Sequence, residues 1–254
     1  MSSLKTPSFR LDNRRALVTG AGRGIGLGAA LALADAGAHV TLVSRTAGEI
    51  EAAKAEITGR GGSADTLVLD VTDLAALREA LSARPAYHVL VNNAGTNRPA
   101  AFTDISEADF DAVFEVNVRA AFFVAQTVVK GMRAEGLKGS IINISSQMGH
   151  VGGPKRTVYC ASKHAIEGLT KSMAFELGSE GIRVNALAPT FVRTPLAAQM
   201  LSDKAVHDYV VTKIKLGRVG EIEDLMGAIV FLASDASALM TGASLLVDGG
   251  WTIG

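Results

Sequence analysis

The sequence predicts an α/β protein: a doubly wound, seven-stranded parallel sheet with helices on both faces. Three observations carry that expectation. Short β-branched apolar runs alternate with Ala- and Leu-rich stretches whose apolar positions recur at helical spacing. Gly, Pro, Ser or Asp punctuates the junctions. Parallel strands need a crossover, and the preferred crossover is a helix.

In chain order, strands are expected at 15–19, 39–43, 66–69, 89–91, 140–144, 183–188 and 244–247. Each is a short apolar or β-branched run of strand length. Helices are expected between them at 24–36, 49–59, 74–83, 107–133, 158–178 and 222–232. The one long interval without a strand before the end, 190–219, is expected to cap a substrate site. With no low-complexity linker or internal repeat dividing the chain, residues 1–254 are read as one domain.

Composition narrows the partners. Lys plus Arg and Asp plus Glu both number 25, so no bulk field draws the chain to nucleic acid or an anionic membrane. The lone Cys160 has no partner for an internal disulfide, and the polar start lacks the apolar core of a signal peptide, which points to the cytoplasm. Charged residues interrupt the long apolar stretches, so no bilayer span is expected. A small molecule is the expected partner.

The first strand runs directly into Thr19-Gly20-Ala21-Gly22-Arg23-Gly24-Ile25-Gly26 and then an Ala-rich helix. Glycines there permit unusual dihedrals and let the backbone approach a pyrophosphate, while the helix N-terminus points at its charge. A tight loop that merely needs glycines is the alternative, but the strand-turn-helix setting is that of a Rossmann-like dinucleotide site. The second strand leads to Ser44-Arg45, where an Asp or Glu would bind the ribose hydroxyls and repel a 2′-phosphate. Ser44 and Arg45 do neither, and Arg23 adds a second cation, so NADP is favoured over NAD. Either arginine alone reads equally as an exposed surface charge.

Asp70, with Val71 after it, follows the third strand and is suited to accept from the adenine amine; capping the next helix is the alternative, for which Thr72 and Asp73 compete. Asn92-Asn93-Ala94-Gly95 follows the fourth strand and fits a turn or a cofactor contact. Tyr159 and Lys163, four apart on a helix, share a face about one turn apart. A neighbouring ammonium lowers the pKa of a tyrosine that is otherwise near ~10, making it a usable proton-transfer group. Ser146, with Ser145 as its rival, lies after the fifth strand, where a hydroxyl can hold a substrate oxygen. Asn117 is a poor interior residue for the expected helix and tends to engage nearby backbone or water; a helix irregularity is the alternative.

Taken in order, Thr19-Gly20, Gly24-Ile25-Gly26, Asn92-Asn93-Ala94-Gly95, Asn117, Ser146, Tyr159 with Lys163, and Pro189-Thr190 resemble the short-chain dehydrogenase/reductase family over nearly the whole chain. The resemblance implies that Tyr159 is the acid/base and that Ser146, chosen over Ser145 by its distance from the tyrosine, orients the reacting oxygen. It further implies that Lys163 holds the nicotinamide ribose, that Asn117 anchors a water leading to solvent, and that Pro189, Thr190, Val192 and Thr194 contact the carboxamide and phosphate. Thr190 stands where the family usually has glycine, which puts the local backbone in question. The family is commonly tetrameric. Its chemistry is hydride transfer between nicotinamide and a secondary alcohol or ketone, with no metal; the five histidines show no ligand pairing.

The loop between Ser146 and Tyr159 carries Gln147, His150, Lys155 and Arg156, which suits a sugar, polyol or sugar acid better than a sterol or long acyl chain. Arg193 and Arg98 are further carboxylate candidates, each readable as surface charge. The pattern is similar to sugar dehydrogenases of the gluconate 5-dehydrogenase kind and to 3-oxoacyl carrier-protein reductases, whose acidic partner basic residues would also serve. A regulator that senses NADP without turnover is the alternative outside catalysis. Cys160, roughly 100° around the helix from Tyr159, is read as packing.

Overall fold

A computed structural model describes residues 4–254, apart from the side chains at 196 and 199. Seven parallel strands, β1 Arg15–Thr19, β2 His39–Ser44, β3 Ser63–Val68, β4 Val89–Asn92, β5 Gly139–Ile144, β6 Ile182–Pro189 and β7 Ser244–Val247, form one sheet in the order β3-β2-β1-β4-β5-β6-β7. β1 pairs with β2 on one side and β4 on the other, so the winding reverses between β1 and β4. Their carboxyl ends flank the crevice where such sheets take ligands.

The strands are apolar on both faces because helices cover both. Ala16 and Val18 of β1 face one layer, made by α1 (Gly24–Asp35), α2 (Ala47–Gly59) and α9 (Glu223–Ala233). Leu17 faces the other, where α3 (Leu74–Ser82), α5 (Ala121–Ala134) and α6 (Thr157–Leu177) pack. α4 (Glu107–Phe114) precedes α5 on this side.

The expected fold class is borne out, with local differences. β3 begins at Ser63 rather than 66, because this edge strand is half-exposed and lacks a clean apolar pattern. The expected helix 107–133 is three pieces: α4, a π-helical turn at Glu115–Ala120, and α5. The extra residue in a π turn interrupts the hydrogen-bond ladder without altering composition. This run, Glu107–Ala134, is also long and apolar enough by length and composition to cross a membrane, although Glu115, Arg119 and Lys130 interrupt it. Its apolar side is committed to the sheet: Val124, Ala125, Val128, Val129 and Met132 lie in the second core layer.

The interval 190–219 holds two helices not expected from the sequence, α7 (Pro195–Leu201) and α8 (Lys204–Lys213). Each has a side-chain cap. Thr194 accepts from the Ala197 N–H with Pro195 in the first turn, and Asp203 accepts from Ala205 and Val206. Leu201, Val210, Ile214 and Val219 form a third core cluster with Met148, Cys160 and Trp251. That cluster ties α7 and α8 to the loop before α6, and Cys160 packs there with Sγ 3.8 Å from Met148 Sδ.

Candidate active site

The glycine turn connects β1 to α1 at the reversal point. Gly20 has φ +64, a conformation that L side chains rarely adopt. Gly26 is needed for closeness: a Cβ there would stand 2.1 Å from the Gly20 carbonyl oxygen. Thr19 and Asn93 clamp the turn to the end of β4. The Thr19 hydroxyl accepts from the N–H groups of Asn93 and Ala94, both at 3.0 Å, and Asn93 Nδ2 donates to the carbonyls of Thr19 and Gly20 at 2.9 and 3.2 Å. Asn93 is therefore a fastener of the crevice, and Thr19, which the motif reading quoted without a role, is its partner. At the start of α1, Arg23 provides no side-chain cap and the first turn carries no acid. Its N–H groups are left to an anion. Ile25 packs back onto the first core layer.

At the adenosine end, Ser44 Oγ accepts from the Thr46 N–H at 3.2 Å. Arg45 and Arg23 are both exposed, with Arg45 3.6 Å from Asp70 and Arg23 3.5 Å from Glu49. Asp70 Oδ1 accepts from the Thr72 N–H and hydroxyl at 3.0 and 2.8 Å, while Asp73 caps α3. Burial pushes Asp70 up, but the Thr72 bonds and Arg45 bring it net below the ordinary carboxylate value. Val71 is buried in the second core layer.

Tyr159 and Lys163 lie on α6, with the ammonium 5.6 Å from the phenol ring centroid. Lys163 Nζ donates to the Ile144 carbonyl at 2.8 Å. Burial lowers the ammonium from 10.5 to about 8, although Glu167 opposes the drop. Burial also pushes the Tyr159 phenol above its ordinary value, and the groups pulling it back are Ser146 and Arg156. Lys163 covers the ring face, and Ser146 and Arg156 act on the phenol beside it.

Ser146 rather than Ser145 stands at this phenol. Ser146 Oγ donates to Gln147 Oε1 at 2.7 Å and accepts from the Met148 N–H at 3.1 Å. Buried Gln147 thus orients the serine. Ser145 Oγ is buried without a partner, 2.9 Å from where a Cβ of Gly149 would be. Asn117, in the π turn, accepts from the Thr96 N–H at 2.8 Å and donates to the Thr96 carbonyl and Ser162 Oγ at 2.9 and 3.0 Å. A methyl on Gly95 would lie 3.3 Å from Asn117 Oδ1 and 3.9 Å from Lys163 Nζ, so Gly95 marks where these side chains converge.

Over the site, Pro189 ends β6 and Thr190 follows without a positive φ, so the threonine causes no backbone conflict. Thr190 Oγ1 is buried without a partner. Val192 bridges to Gly220, and the Thr194 methyl lies 3.4 Å from where a Cβ of Gly24 would be. Of the substrate-side residues, His150 is engaged elsewhere: Nε2 meets Ser244 Oγ at 2.9 Å and Glu167 at 3.3 Å. Arg193 pairs with Glu221 at 2.9 Å, and Arg98 lies 3.9 Å from Asp109. Arg156 is buried beside Tyr159.

The model of a family described as enoyl-(acyl carrier protein) reductase matches residues 20–252. The chain belongs to the short-chain dehydrogenase/reductase family. It is 41% identical over 247 residues to D-erythrulose reductase of Gallus gallus, covering 97% of this chain and 99% of that one. Gluconate 5-dehydrogenase of Gluconobacter oxydans is 39% identical over 249 residues, with 96% and 97% covered. A crystal structure of a gluconate 5-dehydrogenase from Burkholderia cenocepacia, in complex with NADP and tartrate, superposes with a TM-score of 0.93 at 40% identity, covering 97% of this chain and 98% of that one. As a short-chain dehydrogenase/reductase, the protein is an NAD(P)-dependent oxidoreductase acting on CH–OH or ketone groups.

Proposed function

We propose that this dehydrogenase prefers NADP and acts on a sugar, polyol or sugar acid. The observation that carries the reading is the grouping of Tyr159 with Ser146 and Arg156 at the carboxyl edge of the sheet, beside the glycine turn. The unsatisfied first turn of α1 fits a pyrophosphate and the orphaned Thr190 Oγ1 fits a carboxamide, so the residues present suit a nicotinamide dinucleotide. Ser44 and Arg45, with Arg23 nearby, suit a 2′-phosphate, each arginine exchanging a long contact to a carboxylate for a charge-assisted one. Val71 and Asp70 would border the adenine, and Pro189, Val192 and Thr194 the nicotinamide half.

When bound, the nicotinamide supplies or accepts the hydride at its C4 carbon. The chain does the rest. Tyr159 Oη takes the hydroxyl proton in oxidation and returns it in reduction, and Ser146 Oγ, turned away from Gln147, holds the substrate oxygen. Lys163, anchored by one N–H on Ile144, offers its remaining N–H groups to ribose hydroxyls and to solvent near Asn117. α7 and α8, spanning most of 190–219, act as the cap within one domain. Phe175 on α6 is 92% exposed and Phe122 on α5 is also exposed, which supports a homotetramer; the cytoplasm is the proposed setting.

The 3-oxoacyl carrier-protein reductase reading is favoured by the acyl-carrier description of the matching family model and by 40% identity over 249 residues to a 3-oxoacyl-[acyl-carrier-protein] reductase of Thermotoga maritima. Absorbance at 340 nm separates the two. Sugar acids, sugars, polyols and 3-oxoacyl thioesters are each offered with NADP(H) and NAD(H), beside Tyr159→Phe. Turnover of a sugar-type substrate with NADP, lost in the variant, is the expected result; selective turnover of the thioesters refutes it.

A further inference from the structure

Among the described residues Arg156 is an arginine without a counter-ion. It immediately precedes α6, three residues before Tyr159 and therefore one turn away on the same side of the helix. Only 8% of its surface is exposed. One terminal nitrogen, NH2, packs against the Met200 sulfur of α7, and thioether sulfur is a weak acceptor. The other, NH1, is buried with no hydrogen-bond partner. Among the described residues no carboxylate lies within ion-pair distance of it, whereas Arg193, Arg98 and His150 each have an acidic neighbour.

A buried guanidinium that lacks a partner is costly, and burial draws Arg156 below the ordinary arginine value even though Tyr159 and Cys160 oppose the drop. The packing keeps the charge in place regardless: Gly153 sits under its stem and Met200 of the cap lies over its end. Arginine stays protonated under such conditions, so relief comes from an anion that enters the site. The planar fork matches a carboxylate.

We infer that Arg156 is the carboxylate-binding, specificity-determining residue of this active site, selecting hydroxy or keto acids whose carboxylate lies a few carbons from the reacting carbinol. The inference rests on the sugar-type reading above and narrows it to the anionic members. Burial against Met200 of α7 gives the acidic surface of a carrier protein no direct access to this charge, whereas a small acid needs none of that surface. Neutral polyols leave the guanidinium unpaired and are poor substrates.

The test compares aldonates with the alditols of the same carbon chain, D-gluconate with D-glucitol among them, and with aldonate phosphate esters, in wild type, Arg156→Gln and Arg156→Lys. Wild type is expected to favour aldonates. Arg156→Gln raises KM for the aldonate about 30-fold, as loss of a charge-assisted bidentate contact does, and shifts the alditol far less. Arg156→Lys recovers part of the aldonate loss. Equal losses on both classes, preference for the alditol, or preference for the phosphate ester overturns the inference. A second measurement separates it from the proposed function: calorimetric binding of aldonates to Tyr159→Phe saturated with NADP. Should no sugar-type compound be turned over, Arg156-dependent aldonate binding sustains this inference while the functional reading falls. Absence of aldonate binding as well refutes both.

Discussion

Replacing Lys163 by methionine should abolish turnover and make the protein more stable. The ammonium is buried on α6 and its pKa falls from 10.5 to about 8. Carried through linkage, that drop corresponds to roughly 3 kcal/mol of stability forgone at neutral pH. The sign follows from proton counts. Below pH 8 both folded and unfolded chains hold the proton and the full burial cost applies. Between about 8 and 10.5 the unfolded chain holds a proton that the folded chain has released, so stability rises with pH. Above 10.5 both are neutral and the cost is gone. Methionine of similar length removes the charge but leaves the Ile144 carbonyl without its 2.8 Å donor, a loss of about 1 kcal/mol. The net gain at pH 7 is then about 2 kcal/mol, or roughly 4–8 °C in Tm for a chain of this size.

The assay is thermal unfolding of both proteins without dinucleotide at pH 7 and near pH 10.5, where titrations common to the two cancel in the difference. The advantage should shrink and then reverse as pH rises. A Tm for Lys163→Met at or below wild type at pH 7, or a difference independent of pH, would refute the burial argument. Adding NADP should reverse the order at pH 7, since a ligand that binds the native state of the wild type more tightly stabilises it by mass action.

Alcohol oxidation should rise about tenfold per pH unit from 6 to 8, because burial holds Tyr159 above its ordinary value and only the phenolate accepts the proton; ketone reduction should stay level there. Initial rates in both directions check this, and a flat oxidative profile removes Tyr159 as the base. Arg45→Asp places a carboxylate after β2 and should weaken NADP at least about tenfold while tightening NAD, read by calorimetry. Gly26→Ala brings a methyl against the Gly20 carbonyl and should cost about 1–3 kcal/mol together with dinucleotide affinity; an unshifted Tm would mean that the turn is not close-packed. Asn117→Ala removes three hydrogen bonds to Thr96 and Ser162 and should lower stability by about 2–3 kcal/mol, measured by denaturant unfolding.

The sheet was legible because its strands are buried on both sides, which concentrates β-branched residues into runs that helices do not mimic. β3 shows the limit: at the sheet edge half-exposed Ser63, Ala64 and Asp65 leave no apolar run to read. α7 and α8 escaped because their apolar residues pack within a small local cluster, not onto the sheet. Their caps were nonetheless visible, Thr194 before Pro195 and Asp203 before Lys204, each a polar residue poised to accept at a helix start. The π turn was marked only by Asn117, a poor interior helix residue, since displacing one backbone bond does not alter the apolar stripe.

For the site, spacing revealed which residues share a face but not what surrounds them. Tyr159 and Lys163 at i and i+4 suggested an ammonium that tunes a phenol. Burial limits that argument in pH, because the low-dielectric surroundings lower the lysine to about 8, so it holds its charge at pH 7 and loses it above 8. A second cation, Arg156, acts on the phenol and keeps its charge above pH 8 as well; in the sequence it was one of several basic residues in a polar loop. Desolvation separates it from Arg193 and Arg98, whose exposed pairs with Glu221 and Asp109 satisfy them outside the crevice. A charge that remains ionised, buried and unpaired one turn from the reacting hydroxyl both favours the phenolate needed for oxidation and demands an anion from the substrate. Proton chemistry and substrate choice are therefore coupled: an arriving carboxylate quenches part of the field on Tyr159, so a bound acid should raise the oxidative pH midpoint above that seen with a neutral alcohol.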